Sequence, residues 1–157
     1  MRRRVFLSFQ HEDRQQASGF NLLQWNPNVE FDFVERHLLS PADSTDQDYI
    51  RSRIREELNG TSVTIVLVGQ RTAGSEWVDF EIRESRARGN GLLGIRLKDS
   101  EESPVPAALE EAEARVIEWI PSDFSDEIER AALIAGRPEL GPPAAQPPAS
   151  PGQDCAR

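Results

Sequence analysis

Short apolar runs alternate with longer amphipathic stretches along the chain. Val5-Phe6-Leu7-Ser8-Phe9 reads as a first buried strand, and Val29 to Val34 as a weaker second with Phe31 and Phe33 on one face and Asp32 on the other. Ser62 to Val68 is the strongest run, rich in β-branched residues and closed by Gly69; Leu92 to Leu97 is a fourth and Arg115 to Ile120 a fifth. Runs that stay apolar, without strict alternation, suit strands of a parallel sheet covered on both faces. Between them, Asp46 to Leu58 spaces Ile50, Ile54 and Leu58 as one face of a helix that stops at Asn59-Gly60. Ser75 to Arg88 is a second helix. Ser75 is its N-cap, Glu76 and Asp79 lie in its first turn, Arg86 and Arg88 in its last, and Gly89-Asn90-Gly91 closes it. Asp13 to Leu23 is a looser first helix and Ser125 to Ala135 a final one.

Strands and helices in alternation predict an α/β fold of three layers, flavodoxin-like, with a five-stranded parallel sheet of order 2-1-3-4-5. In such sheets ligands bind beyond the C-terminal strand ends. That points to Phe9–Asp13, Asp32–Asp46 and Gly69–Trp77. The connector from Arg36 to Asp48 is long for its place and rich in Asp, Ser and Thr, which suits a mobile loop.

Composition changes the picture at one end. Positions 136–157 hold six of the eleven prolines and one large aliphatic residue, Leu140. Such a segment cannot bury enough surface to offset the entropy of ordering it. The expected organisation is a folded domain over 1–135 and a disordered Pro-rich tail over 136–157. Cys155, the sole cysteine, lies in that tail, so no internal disulfide forms, and a lone thiol fits a reducing compartment. The run after Met1-Arg2-Arg3-Arg4 is too short for a signal peptide, and no stretch approaches the roughly 20 apolar residues of a membrane span. A cytoplasmic, soluble protein is expected. The net charge of -9 disfavours nucleic acid and anionic membrane as partners.

Several chemistries are excluded by what the strand ends lack. The third strand ends Val68-Gly69-Gln70, without the Asp of a phosphate-accepting receiver, and Ser8 to Asp13 holds no glycine-rich phosphate loop. His11 and His37 have no partners at metal-ligand spacing, so no metal site is expected. No Gly-x-Ser-x-Gly elbow is present. What remains is Trp77-Val78-Asp79-Phe80-Glu81, where a spacing of four puts Trp77 and Glu81 on one helix face. Val78 and Ile82 form the neighbouring stripe and are the better core candidates. A carboxylate beside an indole could stabilise developing positive charge in a substrate. Spacing alone favours the plainer reading, with Trp77 in the core and Glu81 a solvated helix residue paired with Arg83 or Arg71.

Four blocks add a resemblance. Arg4 to Phe9 with Glu12-Asp13 resembles the opening strand of TIR domains. Asn59 to Gly69 resembles the third-strand region of the TIR-like subfamily of the Thoeris antiphage proteins ThsB. Trp77 to Ile82 is similar to that subfamily's Trp-containing helix start, and Gly89 to Ile95 to its following turn and strand. The resemblance runs from about Arg3 to Leu97. It implies an enzyme that cleaves the nicotinamide–ribose bond of NAD, consumed as substrate with no further cofactor, using Glu81 as catalytic residue. It implies a cyclic or modified ADP-ribose product that signals to a separate effector, and homo-oligomers built through the loop 36–48. Trp77, Ser8, Phe9, Asp32 and Phe33 are candidate substrate contacts; core packing is an equal alternative for Phe9 and Phe33, and for Asp32 a plain surface role is the favoured one. Two other functions stay open: a non-catalytic TIR adaptor that self-associates, and a sensor that holds NAD or ADP-ribose without turnover.

Overall fold

The computed structural model describes residues 3–25, 31–34 and 46–135, with the backbone alone at 21, 24, 25 and 31–34. Strands β1 (Arg3–Ser8), β2 (Phe31–Val34), β3 (Val63–Val68), β4 (Gly91–Arg96) and β5 (Arg115–Ile117) form a parallel sheet in the order β2-β1-β3-β4-β5. The helices are α1 (Arg14–Asn21), α2 (Gln47–Leu58), α3 (Glu76–Ala87), α4 (Ala107–Glu111) and α5 (Pro121–Ala135). The α/β architecture with a parallel sheet, expected from the alternation of runs, is the one that forms.

Pleating sorts each strand between two cores. Val5, Leu7, Val63, Ile65, Leu67, Leu93 and Ile95 face α1 and α5, where Ala17, Phe20, Phe124 and Ile128 complete a buried cluster. On the other face Val66 and Val68 meet Val78 and Ile82 of α3 and Ala108 and Leu109 of α4, while Phe6 meets Ile50, Ile54 and Leu58 of α2. β3 is buried at every position, as a central strand between two helical layers must be.

The helix ends follow local chemistry. Asp46 accepts the Tyr49 N–H at 3.1 Å to start α2, and Ser75 accepts the Val78 N–H at 3.2 Å to start α3. α3 closes on Gly89, whose φ of 88° is the left-handed conformation that ends many helices. Elsewhere boundaries moved. β5 stops at Ile117, because Trp119 turns into the α1–α5 core, 6.0 Å from the Phe20 ring and 5.5 Å from that of Phe124. α5 starts at Pro121, four residues before Ser125; the ring's fixed φ and missing N–H suit a first helical position. The predicted first helix is split, with single 3-10 turns at His11–Asp13 and Leu22–Trp25 flanking α1. α4 was not anticipated, since five residues are too few to show a period. The loop expected over 36–48 is described only from Asp46 onward, and the tail over 136–157 lies outside the described residues. No described helix is long and apolar enough to cross a membrane.

Candidate functional site

The sheet-facing stripe of α3 is Val78, Glu81, Ile82 and Ser85, spaced i, i+3, i+4, i+7. Three of these are ordinary core or small residues; the fourth is a carboxylate with 0% exposure. Ser8, at the C-terminal end of β1 and also 0% exposed, donates its hydroxyl proton to Glu81 Oε1 at 2.5 Å. Register sets Ser8 beside Val66, so the pair lies toward the C-terminal end of the sheet, where ligands of such folds bind. A buried carboxyl group is costly unless it is hydrogen-bonded, and the Ser8 hydroxyl supplies such a bond. The solvated alternative for Glu81 is therefore overturned. Arg83 binds Asp79 at 2.9 Å and Glu111 at 2.9 Å, and Arg71 faces Glu12 at 3.5 Å.

Hydroxyls continue beneath α3. Ser85 Oγ donates to the Glu81 carbonyl at 2.6 Å and lies 2.7 Å from Thr64 Oγ1 of β3, while Asn90 Nδ2 donates to Thr61 Oγ1 at 3.0 Å. These bonds hold the helix against β3 directly behind the carboxylate. Trp77, one turn before Glu81, is half-buried and packs with Phe80 on the α2 cluster of Phe6, Ile50, Ile54 and Leu58. Its ring stands edge-on to Phe80 with centroids 6.0 Å apart, and the Arg51 guanidinium lies 5.8 Å from each ring. Trp77 thus joins α2 to α3.

Phe9 is 2% exposed and belongs to the α1–α5 core, on the opposite face of the sheet from Glu81. Of the two roles its sequence position leaves open, it fills the packing one. Asp32 and Phe33 take register positions beside Arg4 and Val5, and their side chains lie outside what the structure describes.

Asp13 was not singled out by its residue type. It sits in the 3-10 turn after β1, and its carboxylate lies against Gly69, so closely that a Cβ there would collide with it. Thr72 Oγ1 accepts the Gly69 N–H at 2.7 Å in the same corner. Burial first, then the Glu12 charge, raise the Asp13 pKa above its ordinary value, and a Thr72 hydrogen bond opposes them. The signals in the sequence are the place of Asp13 in the segment Phe9–Asp13 after the first strand and a glycine immediately after the strongest apolar run. His11 is exposed, 3.2 Å from the Arg14 guanidinium, and among the described residues no three His, Cys, Asp or Glu cluster to hold a metal.

The family model of the Thoeris protein ThsB, TIR-like domain, matches residues 6–102, which span β1 to β4 and include both Ser8 and Glu81. The chain belongs to this family. A ThsB relative from Bacillus cereus (strain MSX-D12), provisionally named cyclic ADP-D-ribose synthase ThsB1, is 31% identical over 113 residues, covering 62% of this chain and 53% of its own length. The chain therefore spans about half the length of that curated relative. Among solved structures, the SEFIR domain of interleukin-17 receptor B aligns with a TM-score of 0.53 at 8% identity, over 83% of this chain and 96% of that one. That likeness is of fold alone. The TIR domains of the activated Roq1 resistosome give a TM-score of 0.43 at 15% identity, over 88% of this chain and 76% of that one. In this ThsB-type domain the matched segment ends at 102, so α4, β5 and α5 lie beyond the family model.

Proposed function

We propose that this ThsB-type domain is an NAD-consuming enzyme. It cleaves the nicotinamide–ribose bond and forms a cyclic or modified ADP-ribose signal that reaches a separate effector in Thoeris-type antiphage defence in the cytoplasm. The observation that carries the reading is Glu81, a carboxylate kept at a sheet-facing core position and held by Ser8 near the C-terminal strand ends. The name of the Bacillus cereus relative supports the choice of product class.

The chemistry suits one carboxylate. The C–N bond breaks with its electron pair leaving on neutral nicotinamide, so positive charge develops on the ribosyl carbon and ring oxygen. A fixed carboxylate in a low-dielectric setting stabilises that charge far more than water does, as glycosidase carboxylates do. Water capturing the cation gives ADP-ribose and a proton; capture by another atom of the same molecule gives a cyclic product. NAD is spent as substrate, and no step calls for a further cofactor. Glu81 has no exposed surface here, so NAD reaches it only after a local opening. A low rate in isolation is expected, with the site completed by assembly of copies through the loop 36–48.

The test is nicotinamide release and product analysis by chromatography, using purified protein at high concentration and protein co-expressed with its effector during phage challenge. Wild type is expected to turn NAD over. Glu81→Gln, which keeps shape and removes charge, is expected to lose at least about 100-fold in rate, the scale of one lost electrostatic stabiliser. Self-association and antiphage activity that both survive Glu81→Gln would instead identify an adaptor. Tight NAD binding in calorimetry without product would identify a sensor.

A further inference from the structure

We propose that Ser8 is a positioning residue for Glu81: its hydroxyl proton is committed to Oε1, so it orients the carboxylate and does not donate to the ligand. This rests on the reading of Glu81 as the group that meets the ribosyl cation.

A serine carries one O–H proton and so makes one donated bond at a time. Here that proton goes to Glu81 at 2.5 Å, between two side chains that are both 0% exposed. The donor is well anchored. Ser8 ends β1, which lies inside the sheet between β2 and β3, and its register partner Val66 is buried as well. The acceptor is less constrained by its own chain, because a glutamate side chain has several rotatable bonds between helix and carboxylate. On its backbone side Glu81 is set by Ser85, whose hydroxyl bonds the Glu81 carbonyl at 2.6 Å and meets Thr64 at 2.7 Å. Ser8 supplies the matching constraint at the far end of the side chain, from a different strand. A direct ligand contact, the role its position at the strand end suggests, would need the proton to leave the carboxylate just when charge develops on the substrate.

The two roles separate in kinetics. A group that only binds ligand changes KM at constant kcat, whereas one that aims a carboxylate at the transition state changes kcat. Ser8→Ala is expected to lower kcat by about 10- to 100-fold, the range for a hydrogen bond to a charged group, with KM within about threefold of wild type. Ser8→Thr keeps the hydroxyl and is expected to retain more activity than Ser8→Ala, although it adds a methyl group to a closed site. Thermal unfolding of both variants identifies any loss due to misfolding. A raised KM with unchanged kcat in Ser8→Ala would overturn the proposal, as would equal losses in the alanine and threonine variants at unchanged thermal stability.

A second readout needs no turnover. In protein carrying 13C-labelled glutamate carboxyls, the Glu81 signal is assigned by its loss in Glu81→Gln. Its chemical shift is expected to move in Ser8→Ala, and an unmoved signal would overturn the pairing itself. If wild type and Glu81→Gln are equally inert toward NAD while the signal moves, the proposed function fails and the Ser8–Glu81 pairing stands. If Glu81→Gln abolishes turnover while Ser8→Ala matches wild type, the function stands and the role given to Ser8 fails.

Discussion

Glu81 shows how a residue's identity and its address are different kinds of information. Its type and its spacing from Trp77 are written in the chain, and by themselves they favour a solvated helix residue over a reactive one. The stripe Val78, Glu81, Ile82, Ser85 holds the stronger signal: a charged residue at a core position of an amphipathic helix, which few folds tolerate without a purpose. Trp77 was expected on one helix face with it as a candidate substrate contact, and its ring packs toward α2. Asp13 makes the same point with a measurable consequence. Burial and Glu12 raise its pKa, so the folded protein binds more protons than the unfolded chain between the ordinary aspartate value near about 4 and the raised one. Stability must then fall as pH rises through that window. Asp13→Asn removes the titration. Urea midpoints measured from acid to neutral pH are expected to move in favour of the variant, relative to wild type, as pH rises; parallel curves would contradict the assignment.

At the scale of elements, caps and apolar periods were legible because they act within a few residues. Ser75 caps α3 and Asp46 caps α2 as their side-chain chemistry requires. The first helix and the fifth strand were drawn less well, since tertiary contacts set their ends: Trp119 leaves the strand for the ring cluster of Phe20 and Phe124. Close contacts between a helix and a strand were not legible. At the first residue of β4 a Cβ on Gly91 would collide with the Ala131 backbone of α5, so the helix rests on the strand only because a glycine is there. Gly91→Ala forces α5 outward and is expected to destabilise the fold by about 1–3 kcal/mol, the usual cost of overpacking. Thermal or urea unfolding measures this, and no change would mean that α5 can shift freely.

At the scale of the molecule, distant segments meet in ways no local rule anticipates. Arg3, opening β1, binds Glu129 of α5 through two parallel bonds, Nε to Oε1 at 3.0 Å and Nη2 to Oε2 at 2.6 Å. The Arg3 hydrogen bond holds the Glu129 pKa below its ordinary value, so the fold gains stability above the usual glutamate range and loses it as pH falls through that range. Glu129 is 43% exposed, and solvent screening limits the pair to at most about 1 kcal/mol. Glu129→Gln is expected to lower the urea midpoint slightly at pH 7, less at high salt, and not at all at a pH low enough to protonate the paired carboxylate.

By itself the sequence determined the alternation of strands and helices, the covered parallel sheet and the acidic charge, because periodicity and composition are local properties of the chain. It also held the blocks that resemble the ThsB family, a match spanning residues 6–102. Only the tertiary structure decided that Ser8 meets Glu81, 73 residues away, and that Phe9 turns its back on them. Which face of a strand a side chain takes, and what lies opposite, depends on the register of β1 against β3 and on the seat of α3 over both. Those are sums of many weak contacts across the whole fold, and no window of the sequence contains them.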